Sequence, residues 1–225
     1  MTDKMMRQPA PEDPLQVQAY LWAKWHGEMG WDIGANCGQT MDRMLAAFNV
    51  VYAFEPNPEP YQVLFETYAT EERVDLNRCA VSDIDGKVNL AAMPPQMAYG
   101  MLITPDTHGV RWGEDSSWDN IPHMTVPSYT VDGLAAQYGV PDFCKVDTEG
   151  HEGHILKGAS HVLSEGRTDW MIEFHSPPLH KFCVGTLEEA GYAVETVRHP
   201  YYGTGTQMWR THGWIRCIAP RGRNA

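Results

Sequence analysis

The chain runs to 225 residues and carries 17 Lys and Arg against 29 Asp and Glu, a formal charge of −12. That length suits one α/β domain with a sizeable core and is short for two, while the charge disfavours DNA, RNA and anionic membranes, leaving neutral or cationic partners or a local basic groove. With no apolar run of about 18 residues, no signal-peptide core and five scattered cysteines lacking a C-x-x-C pair, the sequence predicts a cytoplasmic chain without a membrane span, disulfide framework or structural zinc.

Residues 1–13, polar and proline-bearing, read as a flexible tail ahead of a single domain over 14–225. Leu15 to Trp25 has helix formers and an apolar stripe at Val17, Tyr20, Leu21 and Trp25. Next comes Trp31-Asp32-Ile33-Gly34-Ala35-Asn36-Cys37-Gly38, then Gln39, Thr40 and a run with Met41, Met44, Leu45 and Phe48 on one helical face. This reads as a strand, a tight glycine turn and a helix whose first N–H groups face whatever occupies the turn. The second strand, Val50 to Phe54, ends in Glu55 before Pro56-Asn57-Pro58. A carboxylate there, about twenty residues after the turn, accepts hydrogen bonds from ribose hydroxyls and repels phosphate. The dinucleotide pattern G-x-G-x-x-G is absent, and Asp32 beside the turn suits a ligand with a cationic amino-acid moiety better than a pyrophosphate.

Glu59 to Thr70 is helical in character, and Arg73 to Val81 reads as a third strand ending at Ser82-Asp83. Asp85-Gly86 turns the chain into another strand over Lys87 to Ala92. Residues 94–123 lack periodicity but hold Tyr99, His108, Trp112, Asp115, Trp118 and His123, which suits either a surface insertion or a lid walling a polyol. Beyond it we expect a strand over Met124 to Tyr129, a helix over Thr130 to Tyr138, and a central strand over Asp142 to Val146 that ends at Asp147. Short helices over Glu149 to Lys157 and Ala159 to Leu163 precede a fifth strand, Asp169 to His175, stopped by Ser176-Pro177-Pro178. Thr186 to Ala190 is the last expected helix, capped by Thr186. Tyr192 to His199 and Gly213 to Ala219 are the last two strands. Alternating strands and helices give a mostly parallel sheet covered by helices on both faces.

The glycine turn resembles the first motif of class I S-adenosylmethionine-dependent methyltransferases. Together with Val51 to Pro58, Ala80 to Asp83, Val126 to Asp132 and Lys145-Val146-Asp147-Thr148-Glu149-Gly150-His151-Glu152, it is similar to the FkbM family. That resemblance implies an α/β, Rossmann-like fold with a mostly parallel seven-stranded sheet flanked by helices, S-adenosyl-L-methionine as cofactor, and O-methylation of a hydroxyl on a sugar, glycan or small metabolite. It carries the cofactor over to Asp32, Gly34, Asn36, Gly38, Glu55, Asn57, Ser82, Asp83 and Asp147. It is also the reason to mark Glu149 and Glu152, since acids at a helix start are favoured by the dipole in any case. A general base is expected at His151 or His175, with Asp147 able to accept the proton, orient the hydroxyl or hold the cofactor. A divalent ion among Asp147, His151, Glu173 and His175 is weighed and set aside, because the H-x-x-x-H spacing is absent. Two other functions fit the same residues: RNA ribose 2′-O-methylation using Lys145, Asp147 and Glu173, and cofactor binding without turnover.

Overall fold

The computed structural model describes residues 14–91, 101–102, 123–198 and 212–221. The expected tail over 1–13 and, within the expected insertion, residues 94–100 and 103–122 lie outside them.

In chain order the elements begin with α1 (Pro14–Trp22), β1 (Gly27–Ile33), α2 (Met41–Ala47), β2 (Phe48–Phe54) and α3 (Pro58–Tyr68). Next come β3 (Val74–Asn77), β4 (Ala80–Ser82), β5 (Gly86–Ala91), β6 (Met101–Leu102), β7 (His123–Thr130) and α4 (Val131–Tyr138). The remainder is β8 (Phe143–Val146), α5 (Glu152–Lys157), α6 (Ser160–Glu165), β9 (Asp169–Phe174), α7 (Pro177–Glu189), β10 (Ala193–Arg198) and β11 (Gly213–Ile218).

Seven strands form the central sheet in the order β10-β11-β9-β8-β1-β2-β3. The five from β9 to β3 run parallel, while β11 is antiparallel to both β9 and β10. The expected mostly parallel seven-stranded sheet is therefore present. Period-two alternation assigns its side chains to two cores. Trp31, Ile33, Cys144, Val146, Trp170 and Ile172 pack with α4 to α7 on one face. On the other, Val51, Ala53, Phe143 and Met171 pack with Val17 and Leu21 of α1 and with Met41 and Met44 of α2. Stepping in twos from Phe143 and Met171 leads to Lys145 and Asp147, and to Glu173 and His175. Polar residues thus collect beyond the strand ends on the α1/α2 face.

Several boundaries differ from expectation. The stretch from Arg73 to Val81 is two strands in two sheets, because the chain turns at Asn77-Arg78-Cys79, where the Cys79 amide donates to the Asn77 carbonyl at 3.0 Å. After the turn, β4 joins a second sheet of order β4-β7-β5-β6, which the pattern of the sequence does not foretell. His123 opens β7 opposite Ala91, so it belongs to a ladder and not to the insertion's loop. Ser176-Pro177-Pro178 starts a helix as well as ending a strand. Ser176 caps α7 by accepting the Leu179 amide, and prolines in a first turn forfeit no intrahelical bond. Thr186 accordingly lies inside α7. Phe48 begins β2 instead of extending α2, and Trp25 lies beyond α1, buried against the ring of Phe143.

The second sheet docks on α5 through a close approach. A Cβ built on Gly158, at the C-terminus of α5, would lie 2.2 Å from the Ser82 carbonyl oxygen at the end of β4. Gly185, inside α7, has open space at the same position. Gly158→Ala should therefore destabilise by about 1–3 kcal/mol through overpacking, and Gly185→Ala should stabilise by about 0.4–1 kcal/mol through lost chain entropy. Thermal melts of the two variants check this, with shifts of opposite sign expected.

Candidate active site

The glycine turn is held by the strand ends around it. Gly34 has φ +79°, and a Cβ there would lie 1.8 Å from the Asp147 carbonyl oxygen, so this backbone contact requires glycine. The amides of Gly34 and Ala35 both donate to the Phe54 carbonyl at the end of β2, at 3.0 and 3.1 Å. Beyond them the Asn36 amide donates to Glu55, the Cys37 amide to the Asn36 side chain and the Gly38 amide to the Ala35 carbonyl. The turn was expected to offer unpaired N–H groups. Instead, every amide from 34 to 38 has a partner within the protein, so these groups do not form an anion cradle.

Asp32 and Lys145 sit side by side because β1 and β8 pair them in register. The Lys145 ammonium lies 3.0 Å from Asp32 Oδ1 and 3.7 Å from Asp147 Oδ2, and it donates to the Gly34 carbonyl at 2.8 Å. The Thr40 hydroxyl donates to Asp32 Oδ2 at 2.5 Å. Burial alone would lower the Lys145 pKa, but the Asp32 and Asp147 charges outweigh it and raise it. Asp32 is fully buried and both its oxygens meet protein groups, so it braces the turn.

Glu55, also buried, accepts the amides of Asn36 and Asn57 at 2.9 and 2.8 Å. Burial pushes its carboxyl up to about 7, against the lowering effect of those two bonds. Two of the roughly four acceptor positions on a carboxylate are thereby filled. Asn57 caps α3 through its side chain, which accepts the Glu59 amide.

Ser82 and Asp83 form a separate group. The Ser82 hydroxyl contacts His151 Nε2 at 2.8 Å and donates to Asp83 Oδ1 at 3.0 Å, and Asp83 Oδ2 pairs with His154 Nδ1 at 2.9 Å. The rings of His151 and His154 stack at 4.6 Å. Burial, then the neighbouring His154 charge, pulls the His151 pKa down to about 4. His151 thus tethers β4 to α5, and its contacts are not with Asp147 or His175.

His175 follows β9 into a cluster of acids. Its Nδ1 is 3.0 Å from Glu152 Oε1, and its Nε2 is 3.5 Å from Glu149 Oε2 and 3.7 Å from Asp147 Oδ1. The wholly buried Glu152 also accepts from the Gly150 and Thr148 amides and the Thr148 hydroxyl, which shapes the loop between β8 and α5. Glu149, expected at a helix start, lies in that loop at φ +53°. Burial would lower the His175 pKa, but the Glu152 charge and hydrogen bond, then Glu149 and Asp147, raise it well above the usual value. Burial lifts Glu149 to about 7 and, reinforced by the Asp147 charge, Glu173 to about 8.

Asp147 is the outward member, with 32% of its side chain exposed. It lines a pocket with Lys145, Glu173, Thr40 and two tryptophans, Trp22 of α1 and Trp214 of β11. Trp214 also donates its indole N–H to Glu173 at 2.9 Å. The aromatic wall expected at Tyr99, Trp112 and Trp118 lies outside the described residues, and these two tryptophans were not among the expected ones. Trp22 lies in the expected first helix but off its apolar stripe, and a large apolar residue off the buried stripe was the available signal for it. For Trp214, brought in by a distant antiparallel strand, we find none.

Residues 32–194 match the methyltransferase FkbM domain. A hexuronic acid methyltransferase, AglP, of Haloferax volcanii is 28% identical over 172 residues, 75% of this chain and 64% of that one. A solved methyltransferase FkbM from Methylobacillus flagellatus superimposes with a TM-score of 0.60 and 17% identity, over 93% of this chain and 48% of that one. An rRNA methylase from Streptococcus thermophilus does so at 0.51 with 9% identity, over 92% and 96%. At those identities the two structures speak for the fold alone, Rossmann-like and of class I. This chain spans less than two thirds of AglP and about half of the Methylobacillus protein. The family match covers most of its length, from Asp32 on β1 past Glu55, Asp147 and His175 to β10, and on that ground the chain belongs to the methyltransferase FkbM domain family.

Proposed function

We propose that this chain is an S-adenosylmethionine-dependent O-methyltransferase whose acceptor is a hydroxyl of a sugar, glycan or small metabolite. The observation that carries the reading is the edge shared by the glycine turn and the acid cluster: the Gly34 backbone packs on Asp147, the acid that faces the pocket. The residues present fit the cofactor. Glu55 keeps acceptor positions for ribose hydroxyls, and the internally paired amides of residues 34–38 suit a ligand without phosphate. Gly34, Asn36, Gly38 and Glu55 would hold it, with Ser82 and Asp83 toward the adenine as the family resemblance implies. The relative described as a hexuronic acid methyltransferase supports a carbohydrate acceptor, and so do Trp22 and Trp214, whose faces suit the C–H surface of a sugar ring.

When bound, the cofactor supplies an electrophilic sulfonium methyl group. The chain's own part is alignment and proton handling. Asp147, as the exposed carboxylate of the cluster, accepts the acceptor hydroxyl's proton. Lys145 fixes Asp147 from behind and joins it to the turn through the Gly34 carbonyl. Trp22 and Trp214 exclude water from the flanks, and Trp214 orients Glu173. His151 stays outside this scheme, engaged by Ser82.

Glu55→Gln should weaken S-adenosylmethionine binding by about 1–3 kcal/mol in a chain that still folds, the usual range for hydrogen bonds to a charged group. Calorimetry that finds the affinity unchanged removes Glu55 from the site.

Asp147→Asn should lower turnover by about 10²- to 10⁴-fold with cofactor affinity nearly unchanged. His151→Asn should lower the melting temperature but leave turnover within about tenfold of the parent. A methyl-release screen against uronic acids, neutral sugars and RNA gives the turnover to compare, and transfer to RNA alone overturns the sugar reading.

A further inference from the structure

We propose that Asp147, Glu149 and His175 bind a divalent cation of the Mn²⁺ or Zn²⁺ type. One ligand atom from each lies within 4.8 Å of the others. Acids gather at many strand ends without a metal, so the weight rests on His175. Its side chain is only 4% exposed, and its Nε2 points between Glu149 Oε2 and Asp147 Oδ1 at 3.5 and 3.7 Å. Those separations exceed a hydrogen bond, whose N···O distance is about 2.7–3.2 Å. They match two donors on one ion instead: with bonds of about 2.1 Å at 109–120°, ligand atoms stand about 3.4–3.6 Å apart.

The other ring nitrogen supplies the second observation. Nδ1 is held by Glu152, fully buried and itself fixed by the Thr148 and Gly150 amides. A carboxylate on the far nitrogen of a ligating histidine is how metal sites orient the ring. Charge agrees with this. Five acids, Asp32, Asp147, Glu149, Glu152 and Glu173, gather about Lys145 and His175, and because the His175 ring is neutral when Nε2 is a ligand, Lys145 is then the cation left among these residues. A divalent ion offsets the excess. Carboxylates with one imidazole suit a borderline ion better than Mg²⁺, which favours an all-oxygen shell.

The site stands without the methyl-transfer reading, whereas its use rests on it. Three protein ligands leave coordination positions open, and Asp147 places them toward the pocket between Trp22 and Trp214. A hydroxyl and a neighbouring carboxylate of an acidic sugar would fill them, and the ion would relieve the repulsion between that carboxylate and the acid cluster.

The test uses the full chain with Mn²⁺ alone, without cofactor or acceptor, so its outcome is independent of whether methyl transfer occurs. Titration followed by the loss of the free-ion electron paramagnetic resonance signal should give one site per chain, with Zn²⁺ competing. Glu149→Gln should weaken Mn²⁺ at least tenfold. Glu152→Gln, which among the three ligands touches only the histidine, should weaken it about 10- to 100-fold. Glu59→Gln on α3 is the control and should leave it unchanged. Circular dichroism establishes that each variant is folded. If the folded parent binds neither ion at 1 mM (roughly the weak end of protein metal sites), the proposal is overturned. It is overturned equally if Glu149→Gln and Glu152→Gln, both folded, bind Mn²⁺ as the parent does.

Discussion

The Lys145 ammonium is the point on which the strand ends depend. It touches the Asp32 carboxylate of β1, the Gly34 carbonyl of the turn and the Asp147 carboxylate beyond its own strand. An ammonium and a carboxylate taken out of water cost several kcal/mol each, and their attraction repays this only when further hydrogen bonds complete both groups. Here they do: Thr40 fills the second oxygen of Asp32, and the Gly34 carbonyl takes another proton of Lys145. Removing either partner strands a buried charge, a loss of about 3–5 kcal/mol in comparable pairs. The pair therefore fixes three segments at once: the glycine turn, the end of β8 and the start of α2 through Thr40.

Glu152 does for the next loop what Lys145 does for the turn. Its Oε1 gathers the Thr148 and Gly150 amides and the His175 ring, so a loop that passes through left-handed geometry at Glu149 and Gly150 takes one shape. A non-glycine residue at positive φ is costly and needs support from its surroundings. Glu149 receives it from that hydrogen-bonded frame, and the result is a carboxylate aimed at His175 instead of at solvent. Lys145 lies near the end of β8 and Glu152 at the start of α5, and Asp147 stands between them, in contact with Lys145 on one side and with His175, the partner of Glu152, on the other.

Much of this was legible in the sequence because it depends on period and spacing. Apolar runs bounded by turn residues marked the stretches that hold the central sheet's strands, and Asp32, Gly34, Glu55 and Asp147 stand at strand ends, where a doubly wound sheet puts its ligands. What escaped depended on contacts between distant segments. Arg73 to Val81 shows no glycine or proline to mark the break at Arg78, so its division between two sheets is invisible locally. Pro177-Pro178 reads as a stop until Ser176 is recognised as a cap. His151 and His175 look equivalent in the sequence, both beside the acids, yet Ser82 captures one and Glu152 the other. Their difference is tertiary: β4 belongs to the second sheet, which no local pattern of residues foretells.

Net charge disfavoured nucleic acid but left a local basic groove open. At the acid cluster the described cations are already partnered. Among the described residues that touch the acid cluster, Lys145 and His175 are the cations, and each is already bound by carboxylates, while the amides of residues 34–38 are satisfied within the protein. A phosphate arriving at this edge would meet Asp147, Glu149 and Glu173 with no compensating donor among these groups. Sequence-independent phosphate contacts supply a large share of nucleic-acid affinity, so a site that repels them must recognise its acceptor by other means. Those on offer are aromatic faces, hydroxyl acceptors and, with a cation held by the cluster, coordination. Sugars present C–H faces and adjacent oxygens, and they match that set.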